Sequence, residues 1–255
     1  MGGPRTEDRD GVRWITLQRP EKLNAITRDD LAELTGVVRD LPAGTAAVVF
    51  QGAGERAFSA GMHVDTFPGL DVAGARAFIS ELGRFLTLVR TAPVPTICVV
   101  RGHCLGGAME LAMACDLRVA DTSAVFGMPE IAVGIPSVLD AALLSQYVGL
   151  SKAKELLLTG ESCPATELAA FGFLNELVEP EALADAVQRT LDRVLPHAGP
   201  ATAAQKRLFE TWHNTGLERS IAASIGEFAE VFGHDATRER IAGYRPQSRV
   251  RPPST

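Results

Sequence analysis

Two acidic residues stand where packing alone gives no reason for a charge. Glu110 interrupts the run Gly106-Gly107-Ala108-Met109-Glu110-Leu111-Ala112-Met113-Ala114, and Glu130 follows Pro129 in Phe126-Gly127-Met128-Pro129-Glu130-Ile131-Ala132-Val133. A carboxyl group flanked by Met109, Leu111 and Met113 is partly desolvated, which raises its pKa toward the range useful for proton transfer. Pro129 pushes Met128 toward extended geometry and leaves Glu130 alone among apolar neighbours. Each residue has a plainer competing reading. Glu110 could be one exposed position on a short helix, and Glu130 an ordinary acidic residue in a first helical turn.

Two glycine-bearing segments supply the other half of a possible site. In Ala57-Phe58-Ser59-Ala60-Gly61-Met62-His63-Val64-Asp65, small residues before Gly61 let a ligand approach the backbone closely. A helical turn after them leaves free N–H groups pointing at that ligand. A surface turn entering a helix competes equally with this reading. Gly106-Gly107, placed after a buried strand, put a helix N-terminus at the end of a sheet, where α/β proteins bind ligands.

These segments need a frame. Strands are expected over residues 12–17, 46–50, 96–100 and 117–120, from alternation or from short apolar runs bounded by turn residues. Thr27 is an N-cap, with Asp29 and Asp30 in the first turn and Leu31, Leu34, Val38 and Leu41 at helical spacing. A long amphipathic helix is expected over residues 72–90 and a short apolar one over 109–115. The alternation argues for α/β architecture with largely parallel strands. Beyond Pro136 the pattern is mostly helical, with segments over 138–148, 152–158, 165–170, 182–195, 202–212 and 221–232 and one strand over 174–178. A core over residues 1–196 and a helical C-terminal region over 197–255 follow, ending in a Pro-rich polar tail from residue 245.

Bulk properties narrow the function. At 255 residues, with 46% hydrophobic and 22% charged, the chain can bury one sizeable core without cross-links. A net charge of −6 spread without long runs gives no electrostatic footprint for nucleic acid or an anionic membrane. Cys98, Cys104, Cys115 and Cys163 form no metal-binding or redox spacing and read as small core residues in a reducing compartment. With no signal-like or membrane-spanning apolar run, a cytoplasmic location is expected.

Taken in order with Leu17-Gln18-Arg19-Pro20-Glu21-Lys22-Leu23-Asn24-Ala25, these segments make the chain resemble the crotonase superfamily of enoyl-CoA hydratases and isomerases, from about Val12 to near Arg245. The resemblance implies an α/β fold, a ββα spiral core with a helical C-terminal trimerisation region, assembled as a trimer or a hexamer. It implies an acyl-CoA substrate, with coenzyme A part of that substrate and no separate cofactor or metal. Position by position, the backbone amides of Met62 and Gly107 fall on the oxyanion hole, and Glu110 and Glu130 on the two hydratase acids. Ala60 and Met62 to Asp65, including His63 and Val64, fall on the thioester-contacting segment, and Lys22 and Ala25 on the coenzyme-facing loop. Both acids being present favours enoyl-CoA hydration over double-bond isomerisation, thioester hydrolysis or silent acyl-CoA binding. His63 stands where relatives often carry Asp and could meet solvent, the pantetheine arm or Asp65. Ser137-Val138-Leu139-Asp140 replaces the familiar Gly-Gly stretch, as in a branch that includes methylthioacryloyl-CoA hydratases. There Asp140 either lines the acyl pocket or caps or solvates a helix, and the second is favoured. Phe232 and Arg245 stand where relatives place residues near the adenine nucleotide.

Overall fold

Each chain segment from residue 47 to 127 lays one strand in a large sheet, one in a small sheet and then a helix, and the succession winds the chain into a spiral. The structure, a computed structural model, describes residues 2–243. The position of Arg245 therefore lies outside the described residues, as does the expected polar tail.

The large sheet has the order β1-β2-β3-β5-β7-β10. Its strands are β1 (Arg5–Arg9), β2 (Val12–Leu17), β3 (Ala47–Gly52), β5 (Thr96–Val100), β7 (Leu117–Asp121) and β10 (Glu176–Val178). All pair in parallel except β1 with β2. β5 is buried at every residue, as expected for a Val/Ile/Cys run covered on both faces. β1 went unrecognised in the sequence because Arg-Thr-Glu-Asp-Arg has no apolar alternation; it is an exposed edge strand held by ladder bonds to β2.

The small sheet, order β4-β6-β8-β9, contains β4 (Ala57–Ser59), β6 (His103–Leu105), β8 (Val125–Gly127) and β9 (Ser162–Pro164). Each has three residues, too few to show a period. Their presence corrects one expectation: Gly106-Gly107 follow β6 of the small sheet, not the buried strand β5.

The helices that carry the site are α1 (Arg28–Arg39), α2 (Val72–Thr91) and α3 (Gly107–Ala114). α1 starts on a capping box: the Thr27 hydroxyl accepts from Asp30 N–H, and the Asp30 carboxylate accepts from Thr27 N–H at 2.8 Å. α2 turns Phe78, Leu82, Phe85, Leu86 and Val89 onto the core, where they meet Phe50, Phe58 and Met109. The expected break near residue 149 is real. α4 (Leu144–Thr159) carries a non-helical Gly149 inside it, after a 3-10 turn over Leu139–Leu143.

α5 (Ala165–Ala170) leads to β10, and α6 (Leu183–Val194) packs Leu183, Val187 and Leu191 on the outer face of the large sheet against Val49, Ile97 and Val119. Three further helices follow: α7 (Pro200–Asn214), α8 (Leu217–Val231) and α9 (Asp235–Gly243). All four cysteines are free and buried. Among the described residues no helix is long and apolar enough to cross a membrane.

Candidate active site

α3 is buried at all of its residues, and Glu110 is only 3% exposed. A short helix with no polar face is viable only inside a core, so the reading of Glu110 as an exposed position does not hold. Glu130 lies in the first turn of a 3-10 segment over Pro129–Val133, so the helix-starting reading describes its backbone, while its side chain faces inward. Both carboxyl groups line one cavity of about 280 Å³, together with Ala60, Met62, Val64, Gly106 and Gly107. Much of the remaining lining is apolar: Phe67 and Phe78, edge to face with ring centroids 5.7 Å apart, then Leu82, Val133, Ile135 and Val138.

The glycines are required by close approach. Gly61 has φ +85°, and a Cβ there would lie 2.6 Å from the Leu105 carbonyl oxygen and 3.1 Å from the Gly107 nitrogen. Gly106 has φ +54°, and a Cβ there would lie 2.5 Å from Glu130 Oε1. The peptide preceding Met62 therefore presses against the N-terminus of α3. Among the described residues, no protein acceptor takes the N–H of Met62 or of Gly107. These two donors sit side by side at the cavity wall, unsatisfied by the fold.

What holds Met62 there is the loop after β2. Ile26 N–H donates to Gly61 O, His63 N–H to Ile26 O and Ala60 N–H to Leu23 O, each at 2.8 Å. Asn24, 1% exposed and at φ +53°, accepts from Arg19 N–H at 2.9 Å and donates to Ala53 O and Ala57 O. Its own carbonyl accepts from the Ser59 hydroxyl, which in turn accepts from Gly61 N–H at 3.0 Å. Asn24→Ala strands these partners in the core and forces Ala into a left-handed backbone. It should lower stability by about 2–4 kcal/mol in urea unfolding; a loss within the noise of that measurement would show the loop is held some other way.

The electrostatics single out Glu110. Burial first, and the neighbouring Glu130 charge second, push its carboxyl up to about 8, against the opposing hydrogen bond from Ala141 N–H. That N–H lies 3.4 Å from Glu110 Oε1. Glu130 Oε2 accepts from the Ser137 hydroxyl at 2.9 Å. Among the described residues neither carboxyl has a cationic partner.

Other expected contacts fall elsewhere. Lys22 is exposed at the end of a 3-10 turn over Pro20–Lys22, and Ala25 is buried beneath that loop; neither lines the cavity. His63 turns away to cap a 3-10 turn, its Nδ1 accepting from Asp65 N–H at 3.3 Å, with Asp65 exposed beside it. Asp140 neither lines the cavity nor caps or solvates a helix. It is 7% exposed and ion-paired with Arg90 of α2, which also reaches Glu210 of α7 at 3.2 Å. Burial raises the Asp140 carboxyl and Arg90 opposes that rise. Phe232 caps the end of α8, half-exposed against Phe228. Sequence reasoning missed the Ser137 and Ala141 contacts and the Phe67–Phe78 wall; the Ser137–Asp140 departure marked the right segment without showing what it touches.

A spiral of ββα units that brings two uncompensated carboxyl groups and two free backbone donors to one apolar cavity defines a crotonase-fold protein. Residues 7–249 match the family model "Enoyl-CoA hydratase/isomerase", and the chain belongs to that family. It is 28% identical to a short-chain-enoyl-CoA hydratase of Clostridium acetobutylicum, over 94% of this chain and 93% of that one. It is 31% identical to an (E)-benzylidenesuccinyl-CoA hydratase of Thauera aromatica, over 84% of each. The crystal structure of a Mycobacterium smegmatis enoyl-CoA hydratase superposes with a TM-score of 0.90 at 26% identity, covering 97% of this chain and 99% of that one.

Proposed function

We propose that this chain adds water across the α,β double bond of an unsaturated acyl-CoA. The observation that carries the reading is the cavity in which Glu110 and Glu130, with no cation beside either, face the free N–H groups of Met62 and Gly107. As water oxygen bonds to the β-carbon, electron density moves onto the thioester oxygen. Two fixed donors there stabilise the developing enolate more than the ground state. One carboxylate takes a proton from the attacking water, and the other carboxyl gives one to the α-carbon, so the pair as a whole gains and loses one proton.

Glu110 is assigned to the water and Glu130 to the α-carbon. In this reading the two carboxyls carry one proton between them and act as a unit, with burial and the Glu130 charge raising the Glu110 carboxyl. The apolar wall suits an uncharged acyl group. Ala60 and Met62 to Asp65 are assigned to the thioester and pantetheine, and Lys22 and Ala25 to the coenzyme, with no separate cofactor. Exposed Ile221, Ile225 and Phe228 on α8 suit a homo-oligomer, a trimer or hexamer, in the cytoplasm.

The test is crotonyl-CoA incubated in oxygen-18 water, with products weighed by mass spectrometry. Hydration gives an intact thioester heavier by one labelled water. Label found only in free acid, or an isomer without label, would replace hydration by hydrolysis or isomerisation.

A further inference from the structure

We infer that Ser137 is a positioning residue for Glu130, its hydroxyl pinning one carboxylate oxygen so that the other faces the reacting carbon. The inference rests on the hydration reading and assigns a part of that site which the family resemblance does not.

The two oxygens of Glu130 have different surroundings. Oε2 accepts from Ser137 Oγ at 2.9 Å, while Oε1 lies where a Cβ on Gly106 would come within 2.5 Å, beside the N-terminus of α3. Among the described residues, Ser137 supplies the one side-chain hydrogen bond that Glu130 receives. The backbone prepares this contact. Ile135 N–H donates to the Glu130 carbonyl at 3.1 Å and closes the intervening turn, which brings residue 137 back over residue 130.

A hydroxyl suits the task because it donates to an ionised carboxylate and accepts from a protonated one. Glu130 can then change protonation state during a turnover without changing rotamer. An unpinned glutamate has three torsions to disperse, and a proton donor displaced by about 1 Å loses much of its rate advantage.

The neighbouring residues point the same way. Ala141, four positions on, gives its N–H to Glu110, and Leu139 between them is held at φ +50°, a conformation side chains other than glycine rarely take. Asp140, beside it, is tied to Arg90. One anchored segment thus touches both carboxyl groups, Ser137 at one end and Ala141 at the other.

The experiment compares full-length wild type, Ser137→Ala and Ser137→Thr by crotonyl-CoA hydration, by α-carbon deuterium exchange into butyryl-CoA in D2O, and by thermal melting. We expect Ser137→Ala to melt as wild type and to lose about 10- to 100-fold in kcat, with KM within about threefold. Deuterium exchange should fall in parallel, and Ser137→Thr, which keeps the hydroxyl, should recover most of both rates. Ser137→Gly serves as a second hydroxyl deletion should Ala disturb folding. Wild-type kcat in the hydroxyl deletions, a loss confined to KM, or a Thr variant as slow as Ala overturns the assignment. Wild type that neither hydrates nor exchanges removes the hydration reading and this inference with it, whereas active wild type with unimpaired deletions removes this inference alone.

Discussion

Glu110→Gln and Glu130→Gln are each expected to lower crotonyl-CoA turnover by about a thousandfold, the middle of the range for loss of a positioned acid or base. The double variant should be little slower than either single one if the two carboxyls serve one proton circuit, since groups acting as a unit are not additive. The same circuit sets the pH dependence. On the proposed mechanism the pair needs one proton, which would leave as pH rises through about 8, where burial and the Glu130 charge hold the Glu110 carboxyl. Wild-type kcat/KM should therefore fall on the alkaline side of about 8.

Stability falls with rising pH too, over the window below that value. The Glu110 carboxyl is raised from 4.5 to about 8 on folding, so the native state binds the extra proton between those values and stability falls as pH climbs through them. At about 1.4 kcal/mol per unit, the accumulated cost is on the order of a few kcal/mol above the upper value. Glu110→Gln removes that cost and should melt higher than wild type in alkaline buffer while losing activity. Near-wild-type turnover in either single variant, or a rate that stays flat well past pH 8, would end the assignment.

Gly61→Ala is expected to cost about 10²–10³ in kcat, comparable to removing an oxyanion donor. The added Cβ meets the Leu105 carbonyl and the Gly107 nitrogen, both backbone atoms, so no side chain can swing aside. Either the loop carrying Met62 retreats or the start of α3 does, and the two N–H groups proposed to share one oxygen move apart. Gly36→Ala, on α1 with nothing within 4 Å of its Cβ, is the control and should leave turnover unchanged. Comparable kinetics for the two variants would show that the Gly61 contact does not set donor geometry.

The large sheet was readable because its inner strands are buried on both faces. Thr96–Val100 matched its expected bounds, and 117–120 fell one residue short of Leu117–Asp121. The small sheet left no trace, since three-residue strands such as His103–Leu105 are specified by their pairing partners and not by their own pattern. At the site, a lone charge in an apolar helix was legible, and so were glycines placed before helical turns. That Ser137 touches Glu130 and Asp140 touches Arg90 was not, because both contacts depend on how residues 130–141 turn back in space.

The Arg90 pairing has a thermodynamic consequence. Its guanidinium bridges Asp140, next to the Ala141 amide on Glu110, and Glu210 on α7. Docking of α7 and ordering of residues 137–141 consequently share one half-buried cation, and their free energies do not add as separate terms. Undocking α7 would leave Arg90 with Asp140 as its one carboxylate partner among the described residues, so the segment behind Glu110 would keep its charge balance but lose a brace.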